Sequence, residues 1–459
     1  MLFRRFYAKL CIFLLSSLTA FSAPKPAEDY ANFTDDGGWC WFADPRAVSR
    51  EGKTFTGWVS ENGSVQAAAL DHASGKTTTF TLHDHYQRDD HNNPSFLFLP
   101  DGRLTLFYTK HSIADKINFR TTKLPGDITA WEPEATITPA DTSTYHTGIT
   151  YTHPFMLAAE NNTIYLFWRG HSYKPTMAKS LDGGKSWQPS QVVFSMPNSP
   201  KGNRPYAKYT SNGKDRIHML FTDGHPRNES TNNVYYVCYR DGVFYKADGT
   251  RICGANELPI RPEQADLIYD AKKSSVRGWI WEIAFDSLDR PVAVYSRLPS
   301  EEDHRYHYAR WNGQTWLDTE LCAAGKWFPQ TPQGVIEPEP HYSSGLALDP
   351  ADPSVIYLTR PINGIRELEK WTTPDEGKSW KTEAITANSK HDNIRPYVVR
   401  DKAADGPNIL WQNISGRYIH YTDYRCSIKM DRPTTTSIGV PLNDTLPSQK
   451  AAADKGLKK

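Results

Sequence analysis

The run His91-Asn92-Asn93-Pro94 is followed by a second imidazole at His111, and further along Tyr151 and His153 precede Arg169. These types in this order could move a proton beside a bound anion. A neutral imidazole titrates near neutral pH and can act as a general base. A phenol or a second imidazole can protonate a departing oxygen. A guanidinium grips a carboxylate through two parallel hydrogen bonds. Arg46, His171, Arg204, Tyr206, Glu282, His341 and Arg395 stand at comparable places along the chain and, with Asn92 and Asn93, are candidate substrate-binding groups.

The elements that must position these groups recur seven times. A short strand, a turn and a second apolar strand repeat at intervals of roughly 50–75 residues, the mark of a propeller, solenoid or array. The second strands are Phe55–Val59, Leu104–Tyr108, Ile164–Trp168, Ile217–Phe221, Val292–Tyr295, Val355–Leu358 and Ile409–Trp411. Turns between the paired strands are rich in Asp, Asn and Gly, as at Pro100-Asp101-Gly102-Arg103. Ser180-Leu181-Asp182-Gly183-Gly184-Lys185-Ser186-Trp187 and Thr373-Pro374-Asp375-Glu376-Gly377-Lys378-Ser379-Trp380 both fit the Asp-box pattern, a structural turn in which Asp caps the backbone and Trp packs between strands. Helical periodicity is nearly absent. The expected fold is all-β, a seven-bladed β-propeller over residues 24–430, closed radially so that few edges remain open. A hairpin returns to the face it left. Residues before each first strand and after each second strand must therefore share one rim, where the candidate groups fall.

Residues 1–23 read as a signal peptide, with Arg4, Arg5 and Lys9 before the apolar stretch Leu10–Leu15 and small residues at Ala20, Ser22 and Ala23. A secreted or periplasmic, bacterial, monomeric protein is expected, with residues 431–459 a largely disordered tail. The net charge of +1 offers no basic field for nucleic acid, and no membrane partner is expected. Five cysteines follow the signal, too few for a disulfide scaffold and odd in number. His225 and Cys238 are the candidates for holding a structural zinc or calcium ion. The chemistry itself requires no cofactor. Guanidiniums and imidazoles gathered on one rim repel one another unless an anion enters, which points to a carboxylated or sulfated sugar.

The segment Asp36-Gly37-Gly38-Trp39-Cys40-Trp41-Phe42-Ala43-Asp44-Pro45-Arg46 resembles the opening of the bacterial BNR-repeat propellers. So do His91-Asn92-Asn93-Pro94-Ser95, Leu166-Phe167-Trp168-Arg169-Gly170, Arg204-Pro205-Tyr206-Ala207-Lys208-Tyr209 and Thr222-Asp223-Gly224-His225-Pro226-Arg227. Within that group the chain is similar to the seven-bladed ulvan lyases of polysaccharide lyase families 24 and 25. The resemblance implies β-elimination on a sulfated rhamnose–uronate polymer. It implies that His91 and His111 are the lyases' two histidines and Arg169 their arginine. The family's tyrosine falls near His153, with Tyr151 two residues earlier, and both stay open as the proton donor.

On this reading His91 removes the C5 proton of a uronate, His111 orients it or polarises the carboxylate, and Arg169 holds that carboxylate. The products are 4,5-unsaturated sugars. The alternatives are an α-L-rhamnosidase-type hydrolase on the same propeller, in which Glu282 would be the prominent carboxylate, or a carbohydrate-binding propeller without turnover.

Overall fold

The computed structural model describes residues 23–139, 148–170, 172–195, 204–326, 335, 344–431 and the strand at 436–439. The expected signal peptide lies outside these residues, apart from Ala23.

Seven separate antiparallel sheets follow one another along the chain and close into a seven-bladed β-propeller. In six of them the four core strands run inward to outward in sequence order. The innermost strands are Ala47–Arg50, Ser95–Phe98, Thr150–Leu157, Ala207–Ser211, Arg277–Phe285, Leu346–Leu348 and Asn393–Val398, in blades one to seven. Each expected apolar run forms the second strand of its blade. Blade four carries extra strands at Val243–Tyr245, Arg251–Gly254 and Asp266–Tyr269.

Blade seven is built from both ends of the chain. Its outermost strand is Ala31–Gly37, which pairs antiparallel with Asp423–Met430. Phe33 of that strand is buried among Trp39, Trp58, Tyr397, Leu410 and Ile428, which belong to blades seven and one and the segment between them. Ring closure is thus hydrophobic as well as hydrogen-bonded. A short strand also forms within the segment expected to be a tail. Thr436–Gly439 adds a parallel strand to Lys76–His83 at the outer edge of blade one.

Both Asp-boxes form as read. Asp182 accepts from the Ser186 amide at 2.9 Å and its hydroxyl at 2.5 Å, and Asp375 accepts from Ser379 through the same two groups at 2.7 Å. Their tryptophans pack outward onto the preceding blade, Trp187 against Phe107 and Trp380 against Tyr308. Both turns join third and fourth strands, so they lie on the face opposite the polar rim.

Truncating Phe33 to Ala should remove the apolar half of the closure. Large-to-small changes at buried Phe cost about 3–5 kcal/mol. Urea titration of Phe33→Ala should therefore show a midpoint well below the wild type with an unchanged slope.

Candidate functional site

The rim holds a cavity of about 690 Å³ at one end of the central channel. Blades two, three, four, five and seven supply its walls, through residues that precede first strands or follow second strands.

Asp89 organises one wall. Its carboxylate accepts from the His91 amide at 3.0 Å and so caps the short 3-10 turn Asp90–Asn92. The same carboxylate meets both imidazoles through their Nδ1 atoms, Oδ1 to His91 at 2.7 Å and Oδ2 to His111 at 2.8 Å. The two rings stack at 4.2 Å with an angle of 6° between their planes. With Nδ1 held by Asp89 on each ring, the Nε2 atoms remain for a substrate. Burial alone would raise the Asp89 carboxyl, but His111 and His91 outweigh it and hold it well below the usual carboxylate range. The two histidines are driven apart. Burial opposes a charge on His91, yet the Cys40 sulfur and Asp89 prevail and push it well above the ordinary value. His111 is pushed down to about 4, by burial and by the charge on His91 and despite Asp89. Two stacked imidazoles on one carboxylate cannot both be cationic without repulsion, so one is an imidazolium and its neighbour is neutral.

The facing wall is cationic. Arg169 ends the second strand of blade three, opposite Thr150 in register. It donates to Tyr206 Oη at 2.5 Å, Ser112 Oγ at 2.7 Å and Thr150 Oγ1 at 3.0 Å. Among the described residues it has no acidic partner, and its buried Nε has no hydrogen-bond acceptor. Arg204 likewise leaves a buried Nε without an acceptor and lies 4.1 Å over the Tyr173 ring. A buried guanidinium without an acidic partner, with a second one beside it, makes a site for an anion. His225 lines the same wall and is pushed down to about 3, by burial first and then by Arg169, Arg227 and Arg204.

Tyr151 stands between the two walls. It is the extra residue of a bulge in the pairing of Thr150–Leu157 with Thr163–Gly170, at φ 59°. Left-handed backbone is costly for a residue with a bulky side chain, and such bulges re-aim side chains next to functional sites. In a regular strand Tyr151 and His153 would share a face. The bulge separates them: Tyr151 lines the cavity, with the Arg169 guanidinium 5.0 Å from its ring, whereas His153 does not.

His153 instead lies buried in the channel beneath, beside a group of charges. Lys208 ion-pairs there with Asp44, which also binds Arg46 at 2.9 Å, and Glu282 pairs with Arg400 at 3.0 Å. Arg46 and Glu282 therefore lie buried in the channel and do not line the cavity, which differs from their expected place on the rim. Asn92 and Asn93 are also buried and act as supports. Asn92 bonds to Gln87, whose side chain receives the His111 amide at 2.9 Å. Asn93 anchors the Cys40 amide and the Ala43 carbonyl. Arg395 reaches the cavity, but Asp90 neutralises it at 2.6 Å. His171 and His341 lie outside the described residues. The metal pair is not assembled. His225 faces the cavity, whereas Cys238 pairs with His218 four residues along the strand from the end at Val234, a separation of about 13 Å at the usual rise.

Several lining groups carry no sequence signal of their own. Asp89 stands two residues before His91, a spacing that fits a side chain capping its own turn, and this was the one available clue. Tyr421 comes from a blade-seven loop and meets the His91 ring edge-on at 4.8 Å. Trp41 and Phe42 follow the closing strand and form the floor, Trp41 stacking on Trp281 at 4.5 Å.

Ring closure, seven sheets and a cavity at the strand starts define a seven-bladed β-propeller with a polar, cation-lined mouth. The profile of the BNR repeat-containing family matches residues 53–324, more than half of the chain, and the protein belongs to that family. Two solved structures of a PL25 ulvan lyase, one bound to -[GlcA(1-4)Rha3S]-, share the fold with a TM-score of 0.65 at 15% identity. They cover 87% of this chain and 94–95% of theirs. An α-L-arabinofuranosidase from Fusarium graminearum is more distant, with a TM-score of 0.43 at 11% identity over 74% of this chain and 92% of its own. No curated protein matches the sequence.

The channel charges should matter for stability. Breaking a buried ion pair by removing one partner costs about 3–5 kcal/mol. Lys208→Met should lose stability on that scale in urea titration, because it leaves Asp44 with Arg46 alone.

Proposed function

We propose that the protein is an exported polysaccharide lyase that cleaves a uronate-containing, sulfated polymer by β-elimination. One observation carries the reading: two imidazoles stacked on one carboxylate face a guanidinium with no acidic partner across a phenol in a single cavity. The ulvan lyase that shares the fold is bound to -[GlcA(1-4)Rha3S]-, which agrees with it.

The Arg169 guanidinium, seated by Tyr206, Ser112 and Thr150, takes the uronate carboxylate and stabilises the charge that develops on it as the C5 proton leaves. Preorganised charge of this kind is often the largest catalytic contribution. The base is the imidazole that is neutral. The sequence placed it at His91, but the proton held there by Asp89 and Cys40 moves the role to His111, whose Nδ1–H is fixed on Asp89 and whose Nε2 carries the lone pair. His91, as imidazolium, adds positive charge beside the developing enolate. Tyr151 protonates the O4 leaving oxygen, and the C4–O4 bond breaks as the C4=C5 double bond forms. His153, sealed in the channel, takes no part.

A two-carboxylate hydrolase is less well supported. Retaining and inverting hydrolysis use a pair of acidic side chains flanking the bond, and Asp89, committed to two imidazoles, is the one acidic residue among the described groups lining the cavity.

Incubation with sulfated, uronate-rich polysaccharide should release products that absorb in the near ultraviolet; free rhamnose without that absorbance would refute the proposal. Arg169→Lys keeps a charge but loses the fork. Turnover should fall roughly 10²–10³-fold, the range for losing one preorganised electrostatic donor, and full turnover would remove Arg169 from the carboxylate site. The pH profile provides a further check. His111 must be neutral to act, and its folded value lies near 4. The acid limb of kcat/KM should therefore fall near pH 4 rather than near 6.5, with activity present above it and lost below.

A further inference from the structure

The Nδ1 atom of His91 has more acceptors than one proton can serve. Asp89 Oδ1 lies 2.7 Å from it and Asp90 Oδ1 2.9 Å. A third donor atom comes from a distant segment. The Cys40 sulfur belongs to the chain that follows the closing strand, and one ligand atom each from Cys40, Asp90 and His91 lie within 4.8 Å of one another. Asp89, His91 and His111 form a second set that meets the same limit and shares His91. Cys40 is buried and forms no disulfide. Sulfur, imidazole nitrogen and carboxylate oxygen around one point are the donor set of zinc and its softer relatives. Calcium and magnesium favour oxygen alone.

We propose that Cys40, Asp90 and His91 bind one thiophilic divalent cation of the zinc class in place of the proton on His91 Nδ1, with Asp89 as the fourth donor. Ligation displaces the proton on His91 Nδ1, and any proton on the Cys40 sulfur, to solvent as the dication enters. The carboxylates of Asp89 and Asp90 and the sulfur supply the negative charge that a buried dication requires.

Binding changes what the cavity presents. A cation on Nδ1 leaves His91 neutral with its remaining proton on Nε2. Coordination also draws Asp89 from His111 Nδ1, the contact that keeps the His111 lone pair on Nε2. The cation is thus an inhibitor that works from behind the imidazoles and leaves the sugar-binding surface open. This inhibitory consequence rests on the elimination reading; the binding of the cation does not.

The test uses the full chain, stripped with a chelator and titrated with ZnCl₂, with CoCl₂ and, as a control, with CaCl₂. One zinc per chain should bind and calcium should not. Cobalt should give a sulfur-to-metal charge-transfer band. Cys40→Ser should lose that band and bind zinc at least about 10-fold more weakly, a loss in line with changes at metal-site residues. Cys238→Ser, whose sulfur lies elsewhere in blade four, should keep both. Absence of zinc binding or of the cobalt band in the wild type overturns the proposal without any variant, and so does a band that survives in Cys40→Ser. Failure of the lyase reading would appear separately, as absence of unsaturated product from metal-free protein, and would leave the cobalt spectrum in place.

Discussion

One carboxylate holds two imidazoles, and the chemistry of the cavity depends on that contact. Asp89 uses both oxygens on Nδ1 atoms and its Oδ1 again on the His91 amide. The backbone turn, the ring stacking and the division of protons between the histidines therefore share one anchor. An isolated imidazole would titrate near its ordinary value and spend much of its time in the wrong state. Two imidazoles on a single anion settle into different states, because the first proton taken up by the pair raises the cost of the second. The acid–base asymmetry follows from placement alone.

The scaffold supplies what that contact cannot, a rigid distance to the opposite charge. Asp89 and Arg169 belong to neighbouring blades, and blades pack rather than slide. Two backbone irregularities refine the fit. The bulge at Tyr151 and the left-handed backbone at Arg395, at φ 59° and 49°, both break the strand register where inner strands meet the mouth. Bulges near sites re-aim side chains, and here one delivers a phenol to the cavity while the other lets Arg395 reach Asp90 and Tyr418 beneath it. Asp90 thus gives one oxygen to Arg395 and turns the other toward His91, beside Asp89.

The sequence showed the fold clearly because each blade restates it. Seven apolar second strands, seven turns and two Asp-boxes are redundant, and one misread element would not have changed the count. The rim was legible for the same reason, since a hairpin returns to its own face, and His91, His111, Arg169, Arg204 and Tyr206 all arrive there. What alternation could not reveal was the bulge. Period-two reasoning puts Tyr151 and His153 on one side of the strand, and a single inserted residue parts them. Nor could it separate cations that face the mouth from those that face inward. Arg46 pairs with Asp44, Arg297 with Asp318 and Arg360 with Glu369. These pairs span from 2 to 21 positions in sequence, and which carboxylate neutralises which guanidinium is settled by strand packing. Asp89 went unread because a carboxylate beside a turn is ordinarily just a cap; here it is a cap that also reaches two side chains.

A group of charged side chains fills the channel beneath the mouth. Asp44 and Arg400, which belong to this group, also line a second cavity of about 600 Å³ at the opposite end of the inner strands. Between the two cavities lie Lys208, Arg46, His153 and Glu282, all buried. A ring of seven short inner strands leaves a hole that side chains must fill, and apolar filling would serve stability at least as well, since burying ions carries a desolvation cost that their attraction barely offsets. Charged filling does something apolar filling would not. Lys208 and Arg46 lie beneath a floor made by Trp41 and Phe42 and share the single carboxylate of Asp44, while Glu282 pairs with Arg400. At the mouth itself the positive potential comes from Arg169, Arg204 and Arg227, which line the cavity that an incoming anion would enter. Two carboxylates among three cations leave the channel one positive charge in excess, so its field adds to that of the mouth rather than opposing it.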